Sequence, residues 1–343
     1  MAETLSDKLL DWYAANCRDL PWRVNKDPYR VWISEIMLQQ TRVEAVKGYF
    51  IRFLARFPDV ASLASTDEDE VFKYWEGLGY YSRARNLLKC AKVIVNEHDG
   101  IFPTTKEELL KLPGIGEYTA AAISSICYGE KQVAVDGNLY RVFARLTARE
   151  KTLLDPKERE TCMRYFRKWM ENADAGIVNQ ALMDLGELVC LPGGAPHCLQ
   201  CPFAIECKAH QKGKELLYPS KKPKKEKKSE PLIVFLIRFE RKYVISKRPD
   251  SGLLASLYEF PNVKGTSLSE AKRKLLSKGI DIKQTKFVGK AVHVFTHKKW
   301  DMAYYLAQAT AVNLDSVLLA SREELSSKYA IPSAFSFGLE SIS

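Results

Sequence analysis

The chain has 343 residues, 46% of them hydrophobic and 27% charged, a balance that excludes a disordered tail, a collagen and a coiled coil. At roughly 100–200 residues per domain, this length implies two domains or three, and no apolar run approaches the ~18 residues that span a bilayer. The net charge is +10 but uneven: residues 1–220 sum to −1, KKPKKEKK (221–228) to +5 and residues 231–343 to +7, so the first half has to be judged on local sites rather than on a global basic field.

The start, MAETLSDKLLDWYAAN, is acidic and amphipathic, unlike a secretory signal or an Arg-rich transit peptide. The expectation is a protein that meets no membrane, cytoplasmic and nucleoid-associated in a bacterium or nuclear in a eukaryote. Apolar residues then recur at spacings of three and four over 5–16, 31–40, 44–57, 81–95, 117–128, 138–148 and 159–170, which predicts helices. DLPW, RFPD, GLGY, DGIFP and LPGIG punctuate them. A further helical stretch, NQALMDLGELVC, ends at Cys190. Ser220 to Pro231 is rich in Lys and Pro with no apolar anchor and reads as a solvated linker. Beyond it the texture changes to strands. PLIVFLIRF and KYVISKRP predict a hairpin, YEFPNV, KAVHVFTH and MAYYLAQA further strands, and SLSEAKRKLLSKG one amphipathic helix. The fold class is therefore multidomain: an all-α module followed by a smaller α+β module.

Four elements carry chemistry. LPGIGEYTAAAIS (112–124) places Gly114 and Gly116 in a tight turn that opens onto an Ala-rich helix. Backbone N–H groups at such a turn can approach an anion, and a DNA phosphate suits it. With EELLKL before it, the segment resembles the helix–hairpin–helix motif of DNA repair glycosylases. In VAVDGNLYRVFARL, Asp136 occupies a natural N-cap position, where backbone donors and the helix dipole hold a carboxylate ionised. An isolated Asp there is ordinarily only a cap. In PYRVWISEIMLQQTRVEAV, a helix places Glu35 on one face with Val31, Trp32, Leu38 and Gln39. An acid on an apolar stripe has a raised pKa and suits general-acid chemistry near neutral pH, although a single helical Glu is more often surface charge. The polar end Gln39-Gln40-Thr41 suits contacts with bases.

Of eight cysteines, four lie within 190–207 as Cys190-x7-Cys198-x2-Cys201-x5-Cys207. Without a secretion signal, such a cluster points to metal before disulfides. The chemistry leaves zinc and iron–sulfur both open. His197 reads as a loop residue rather than a ligand.

In order, LPWR, WISEIMLQQT, GLGYYSRARNL, LPGIGEYTA, VDGN, NQALMDLG and the cysteine loop resemble the adenine DNA glycosylases of the MutY family. The resemblance covers 1–210 and extends more loosely over 231–343, which is similar to that family's Nudix-like domain. It implies a helix–hairpin–helix glycosylase domain over 1–215, built as a six-helix barrel with an iron–sulfur subdomain. A basic linker follows over 216–230 and a Nudix-like 8-oxoguanine recognition domain over 231–343. It also implies a monofunctional N-glycosylase of base excision repair. The partner would be double-stranded DNA carrying A:8-oxoG or A:G mispairs, met by a monomer.

By the same resemblance, Glu35 protonates adenine N7 and Asp136 stabilises or traps the oxocarbenium sugar, with Tyr118 and Asn138 in support. Arg18, Trp22, Arg23 and Gln180 surround the flipped adenine, while Gln40, Thr41, Leu78 and Tyr80 wedge into the duplex beside the damaged guanine. Phe295, Thr296 and His297 read the lesion, and Cys190, Cys198, Cys201 and Cys207 hold a [4Fe–4S] cluster. Two departures stand out. The first cysteine gap is seven residues against the family's six, and Thr296 replaces serine in the family's Phe-Ser-His triplet.

Rival readings are weaker on residues. A bifunctional lyase similar to endonuclease III would carry Lys where Tyr118 stands. A Nudix pyrophosphohydrolase needs a glutamate-dense helix, where this chain offers Glu270 alone. A DNA-binding module without catalysis needs no paired carboxylates.

Overall fold

The computed structural model describes residues 3–220, 226–315 and 317–342. Part of the expected linker, residues 221–225, lies outside the described residues. The chain divides into two compact units, one formed by Met1–Ser65 with Asn86–Pro223, the other by Thr66–Arg85 with Lys224–Ser343.

The first unit is helical. Its main helices are Leu5–Asn16, Pro28–Leu38, Val43–Arg56, Glu117–Tyr128, Gly137–Thr147, Pro156–Arg167 and Ala175–Leu188. Two boundaries differ from the periodicity. The helix expected over 31–40 begins at Pro28, because Asp27 caps it and Pro28 takes the first helical position. It stops at Leu38 because Gln40 adopts φ 58. The helix expected over 159–170 likewise begins at Pro156 behind the Asp155 cap and tightens into a 3₁₀ turn over Lys168–Met170.

Leu139, Phe143, Phe166, Val178, Leu182 and Leu185 interdigitate in the core of this unit. Phe203, from the cysteine loop, is 1% exposed and meets Trp169 edge-on at 5.6 Å between ring centroids, so the loop is anchored in the same core. Helix Ala175–Leu188 crosses its neighbours closely at two glycines. A Cβ at Gly176 would lie 2.7 Å from Ile126 Cα, and one at Gly186 would lie 2.7 Å from Asn138 Cβ and 3.0 Å from the Asn138 carbonyl carbon and oxygen.

The second unit holds a seven-stranded sheet. Its strands are β1 (Lys228–Phe239), β2 (Lys242–Lys247), β3 (Tyr258–Glu259), β4 (Asn262–Lys264), β5 (Ile280–Val294), β6 (Lys298–Val312) and β7 (Leu318–Ala320). The order is β3-β2-β1-β6-β5, with β4 paired to β1 and β7 to β2. The expected hairpin is β1–β2, with Arg238 opposite Tyr243. KAVHVFTH and MAYYLAQA fall in β5 and β6, both longer than their apolar runs suggested. β1 is apolar without alternation because both of its faces are covered. Leu232, Val234 and Leu236 pack with Trp300, Met302, Tyr304 and Phe335, while Ile233, Phe235 and Ile237 pack with Ala271 and Leu275 of helix Leu268–Leu276.

Residues 66–85 are tied to this sheet unit by side chains. Asp69 accepts from Tyr258 Oη and Lys247 Nζ, each at 2.8 Å, and Glu76 Oε1 accepts from the Ile331 N–H at 3.0 Å. The sequence texture alone had grouped this segment with the helices.

Gly186→Ala tests the close crossing in the first unit. The added methyl meets backbone rather than the end of a flexible side chain, so the cost should be about 1–3 kcal/mol, as for other overpacked sites. Denaturant unfolding of the two proteins measures it; a loss near zero would mean that the helices separate freely there.

Candidate active site

The first unit contains a cavity of about 560 Å³ lined by Arg18, Trp22, Arg23, Glu35, Gln40, Thr41, Tyr118, Asp136, Asn138 and Gln180, among others. All ten were singled out from the sequence. Gly114 and Gly116 lie elsewhere in this unit. Leu78, Tyr80 and the turn Phe295–His297 belong to the second unit.

Glu35 projects from helix Pro28–Leu38, whose residues Tyr29, Val31, Trp32, Ile33, Ile36 and Met37 are buried as well. The acid is 7% exposed. Burial pushes its pKa up to about 7; the Tyr118 hydrogen bond opposes the rise, and the negative charge of Asp136 adds to it. Tyr118 Oη donates to Glu35 Oε2 at 2.7 Å and lies 3.6 Å from Met183 Sδ.

Asp136 caps helix Gly137–Thr147, as expected. It accepts from the Leu139 N–H at 2.7 Å and from Asn138 Nδ2 at 2.9 Å. The electrostatic expectation needs correction, because burial raises the Asp136 carboxyl above the usual range despite these donors and the nearby Arg141 charge. Both carboxyls are thus shifted upward, and what separates them is hydrogen bonding. Asp136 has backbone and amide N–H donors that favour its charged form, whereas Glu35 has one phenol.

Periodicity did not single out Asp184, which has a completely buried side chain. Arg23 reaches both of its oxygens, at 2.7 and 2.9 Å, and Arg18 bonds Oδ1 at 2.5 Å through Nη2 and at 3.0 Å through Nε. Burial alone would raise this carboxyl, but the bonds from Arg23 and then Arg18 hold it below its ordinary value. A signal existed: Gln180, Asp184 and Glu187 follow helical spacing and face the same wall. Gln180 Oε1 in turn accepts from Tyr13 Oη at 2.9 Å.

Arg141 is a second omission. Its Nη2 donates to Asn138 Oδ1 at 2.9 Å and to the Gly186 carbonyl at 2.6 Å, while Nε donates to the Cys190 carbonyl at 2.7 Å. One guanidinium therefore joins the partner of Asp136 to the start of the cysteine loop.

Cys190, Cys198, Cys201 and Cys207 line a single small cavity of about 30 Å³, with Val189, Pro196 and Ala204 as apolar walls. Arg145 Nη1 lies 3.3 Å from Cys190 Sγ. Burial pushes the Cys198 thiol up to about 11 and Cys201 up to about 12, so a bound metal would have to displace their protons. His197 is absent from the cavity wall, whereas His210 and Glu215, which the cysteine pattern did not reveal, are part of it.

In the hairpin, Gly114 has φ 76, and a Cβ there would strike Asn86 at 2.6 Å; at Gly116 a Cβ would meet nothing within 4 Å. Gly116 caps helix Glu117–Tyr128 without a side-chain bond, leaving its first turn to an external acceptor. Glu117 is paired with Lys106 at 2.7 Å.

In the second unit Leu78 is 7% exposed while Tyr80 is 48% exposed and has φ 49. Of the four residues expected to wedge into a duplex, Gln40 and Thr41 lie in the first unit, and of the two in the second unit Leu78 is buried while Tyr80 is exposed. Its hydroxyl lies 3.0 Å from Thr296 Oγ1. Thr296 and His297 are exposed on the turn between β5 and β6, closed by the Phe295 N–H donating to the Lys298 carbonyl at 2.8 Å. Helix Leu268–Leu276 has Glu270 as its one acid, which leaves no Nudix metal box on it.

The control of the Glu35 proton can be tested directly. Tyr118 stabilises the carboxylate, so Tyr118→Phe should raise the Glu35 pKa above its wild-type value of about 7. Carbon-13 NMR titration of labelled glutamate measures both midpoints. A midpoint that stays or falls would remove Tyr118 from control of that proton.

Residues 33–171 match the HhH-GPD superfamily base excision DNA repair protein family, and residues 233–339 match the NUDIX domain. An adenine DNA glycosylase of Buchnera aphidicola subsp. Acyrthosiphon pisum (strain APS) is 36% identical over 293 residues, which cover 85% of this chain and 83% of that one. The chain is 35% identical to an adenine DNA glycosylase of Arabidopsis thaliana, with 84% of this chain aligned but 54% of the plant protein, so it spans about half of that relative's length. For the Homo sapiens adenine DNA glycosylase the identity is 32%, with 87% of this chain and 65% of the human one covered. Among solved structures, a thermostable thymine-DNA glycosylase superposes with a TM-score of 0.55 at 27% identity, over 60% of this chain and 95% of that one. Among the described residues no helix is long and apolar enough to cross a membrane. With a buried glutamate of raised pKa sharing a cavity with an N-capping aspartate, and with relatives above 30% identity aligned over most of both chains, the chain belongs to the adenine DNA glycosylase family.

Proposed function

We propose that this enzyme hydrolyses the N-glycosidic bond of adenine mispaired with 8-oxoguanine or guanine in double-stranded DNA, as a monofunctional glycosylase. The observation that carries the proposal is Glu35, a carboxyl whose pKa near 7 leaves it a usable proton at neutral pH, bonded to Tyr118 and sharing a cavity with Asp136. Adenine is a poor anionic leaving group, so Glu35 protonates N7 as the bond from C1′ to N9 breaks. The sugar is left cationic, and the Asp136 carboxylate stabilises it. Water then adds to C1′ and returns a proton to Glu35, leaving free adenine and an abasic site. The hydrogen bond that Asn138 Nδ2 donates to Asp136 keeps the carboxylate aimed, and the ion triad Arg18–Asp184–Arg23 fixes the wall against which a flipped base would lie. Tyr118 offers no amine, so Schiff-base chemistry from that position is excluded.

The remaining assignments belong to the same proposal. The Gly114–Gly116 turn takes a phosphate, Gln40, Thr41, Leu78 and Tyr80 contact the duplex near the mispair, and Phe295, Thr296 and His297 read the lesion, Phe295 by shaping the turn. Cys190, Cys198, Cys201 and Cys207, four thiols converging on one apolar-walled cavity, suit a [4Fe–4S] cluster, which when bound would hold the loop together and take no part in base excision. The Gly194 position, φ 69, is where the seven-residue gap turns. The domains would run 1–215, 216–230 and 231–343, except that residues 66–85 and the start of β1 at Lys228 group with the sheet unit. The chain would work as a monomer on nucleoid or nuclear DNA.

Glu35→Gln keeps size and hydrogen bonding but removes the proton. Single-turnover excision, read by alkaline strand cleavage on A:8-oxoG and A:G duplexes, should fall by at least ~10²-fold while duplex binding is kept. Near-normal cleavage would remove Glu35 as the acid. Replacing both Thr296 and His297 with Ala should reduce the preference for A:8-oxoG over A:G several-fold, as expected for losing a hydrogen bond of about 0.5–1.5 kcal/mol. Equal losses on both duplexes would assign that turn to general affinity instead.

A further inference from the structure

The cysteine cavity holds more donors than a four-cysteine cluster requires. His210 and Glu215 line it together with the four thiols. His210 Nδ1 lies 2.5 Å from Glu215 Oε1, and the same carboxylate oxygen lies 3.8 Å from Cys198 Sγ. One ligand atom from each of Cys198, His210 and Glu215 falls within 4.8 Å of the others, and this is the only such group of metal-binding side chains among the described residues. All three side chains are half-buried.

Thiolate, imidazole and carboxylate are the three ligand types that zinc-class ions accept in tetrahedral sites. The backbone already holds them in place. Cys198 opens the 3₁₀ turn Cys198–Gln200, His210 sits in the short helix Lys208–Gln211, and Glu215 opens the turn Glu215–Leu217. The chain between the last two is closed by the Gly213 N–H donating to the His210 carbonyl at 2.9 Å. Phe203 and Ala209, both buried, pin the loop on either side of Cys207 without any metal.

We propose that the cluster-free chain binds one zinc-class divalent ion through Cys198 Sγ, His210 Nδ1 and Glu215 Oε1, with the fourth position left to solvent or to one more thiol of the same cavity. The ion would replace the hydrogen bond between His210 and Glu215, and the Cys198 proton would go to solvent. Because Cys198 would serve both groups, mononuclear ion and cluster exclude one another. The chain then has a second way to close its cysteine loop when iron–sulfur delivery fails. This goes beyond the cluster assignment and depends on it only in the claim of mutual exclusion.

The test uses the full chain with its cluster removed anaerobically, titrated with cobalt(II) and then competed with zinc. One equivalent of cobalt should bind in tetrahedral geometry, with the charge-transfer intensity of one or two thiolates. His210→Ala and Glu215→Gln should each weaken binding by more than the roughly 10–100-fold that loss of an outer-shell partner brings, while both variants should keep their iron and sulfide when made with ample iron. A four-thiolate spectrum indifferent to both substitutions would overturn the proposal and place the ion on the cysteines alone, as would an apo chain that keeps its helical circular dichroism and binds no cobalt. Should the apo chain unfold, the metal content of protein made in zinc-supplemented, iron-starved medium decides instead. Zinc near one per chain that drops in both variants supports the mixed site, and zinc unchanged in both rejects it. Wild-type protein that never carries iron would count against the cluster while leaving this site standing, so the two readings fail separately.

Discussion

Desolvation of one carboxyl group governs this molecule. A buried carboxylate without a partner is expensive, and the least costly resolution is to stay protonated. Helix Pro28–Leu38 forces that outcome on Glu35 by burying residues on all sides of itself, including Trp32, Ile33 and Met37. The sequence responds with few polar groups in this stretch. Ser34, the other buried polar residue of the helix, turns inward and donates to the Val31 carbonyl at 2.8 Å. The rise of the Glu35 pKa to about 7 is thus a consequence of helix packing. Chemistry at this position and stability of the core are the same constraint.

A second carboxyl in the same cavity adds to the constraint, since each charge disfavours the other. Asp136 is made tolerable by a support that begins with Asn138 and continues through Arg141 to the Cys190 carbonyl. That path exists only because Gly186 allows its helix to touch the Asn138 backbone, which brings the Gly186 carbonyl within 2.6 Å of Arg141 Nη2. A side chain at 186 would separate the guanidinium from one of its acceptors. The cysteine loop and the Asp136 carboxylate therefore share a connection of hydrogen bonds through a single buried arginine. Whatever group closes that loop also bears on where Asp136 points.

The surroundings of Glu35 and Asp136 were legible because they are local in sequence, an apolar helical stripe for one and the boundary between an apolar stretch and a helix for the other, while their roles came from the family resemblance. Asp184 and Arg141 were not legible, because their importance lies in partners far along the chain, such as Arg18 at a separation of 166 residues for Asp184 and Cys190 at 49 for Arg141. The same limit applies to residues 66–85. Their helical texture is genuine, with helix Glu68–Trp75 capped by Asp67, yet Asp69 and Glu76 bond to residues beyond 240. The pKa of Asp136 was misjudged for a related reason. A cap is a short-range pattern, whereas desolvation depends on every element that lines the cavity.

The two units consequently divide the chemical problem by range. The cavity of the first unit holds its carboxyls at low dielectric, where a proton and a fixed charge count for most. In the second unit the exposed side chains Tyr80 and Thr296 share a hydrogen bond at 3.0 Å, in contact with water. A hydroxyl pair of this kind has a net worth of about 0.5–1.5 kcal/mol, so exchanging it for a bond to another partner is nearly neutral. The methyl that distinguishes Thr296 from serine restricts rotation of its hydroxyl about χ1. Discrimination exercised there would be modest in energy and readily reversible, which suits inspection of many sites, while the commitment to bond cleavage would remain with the buried proton of Glu35.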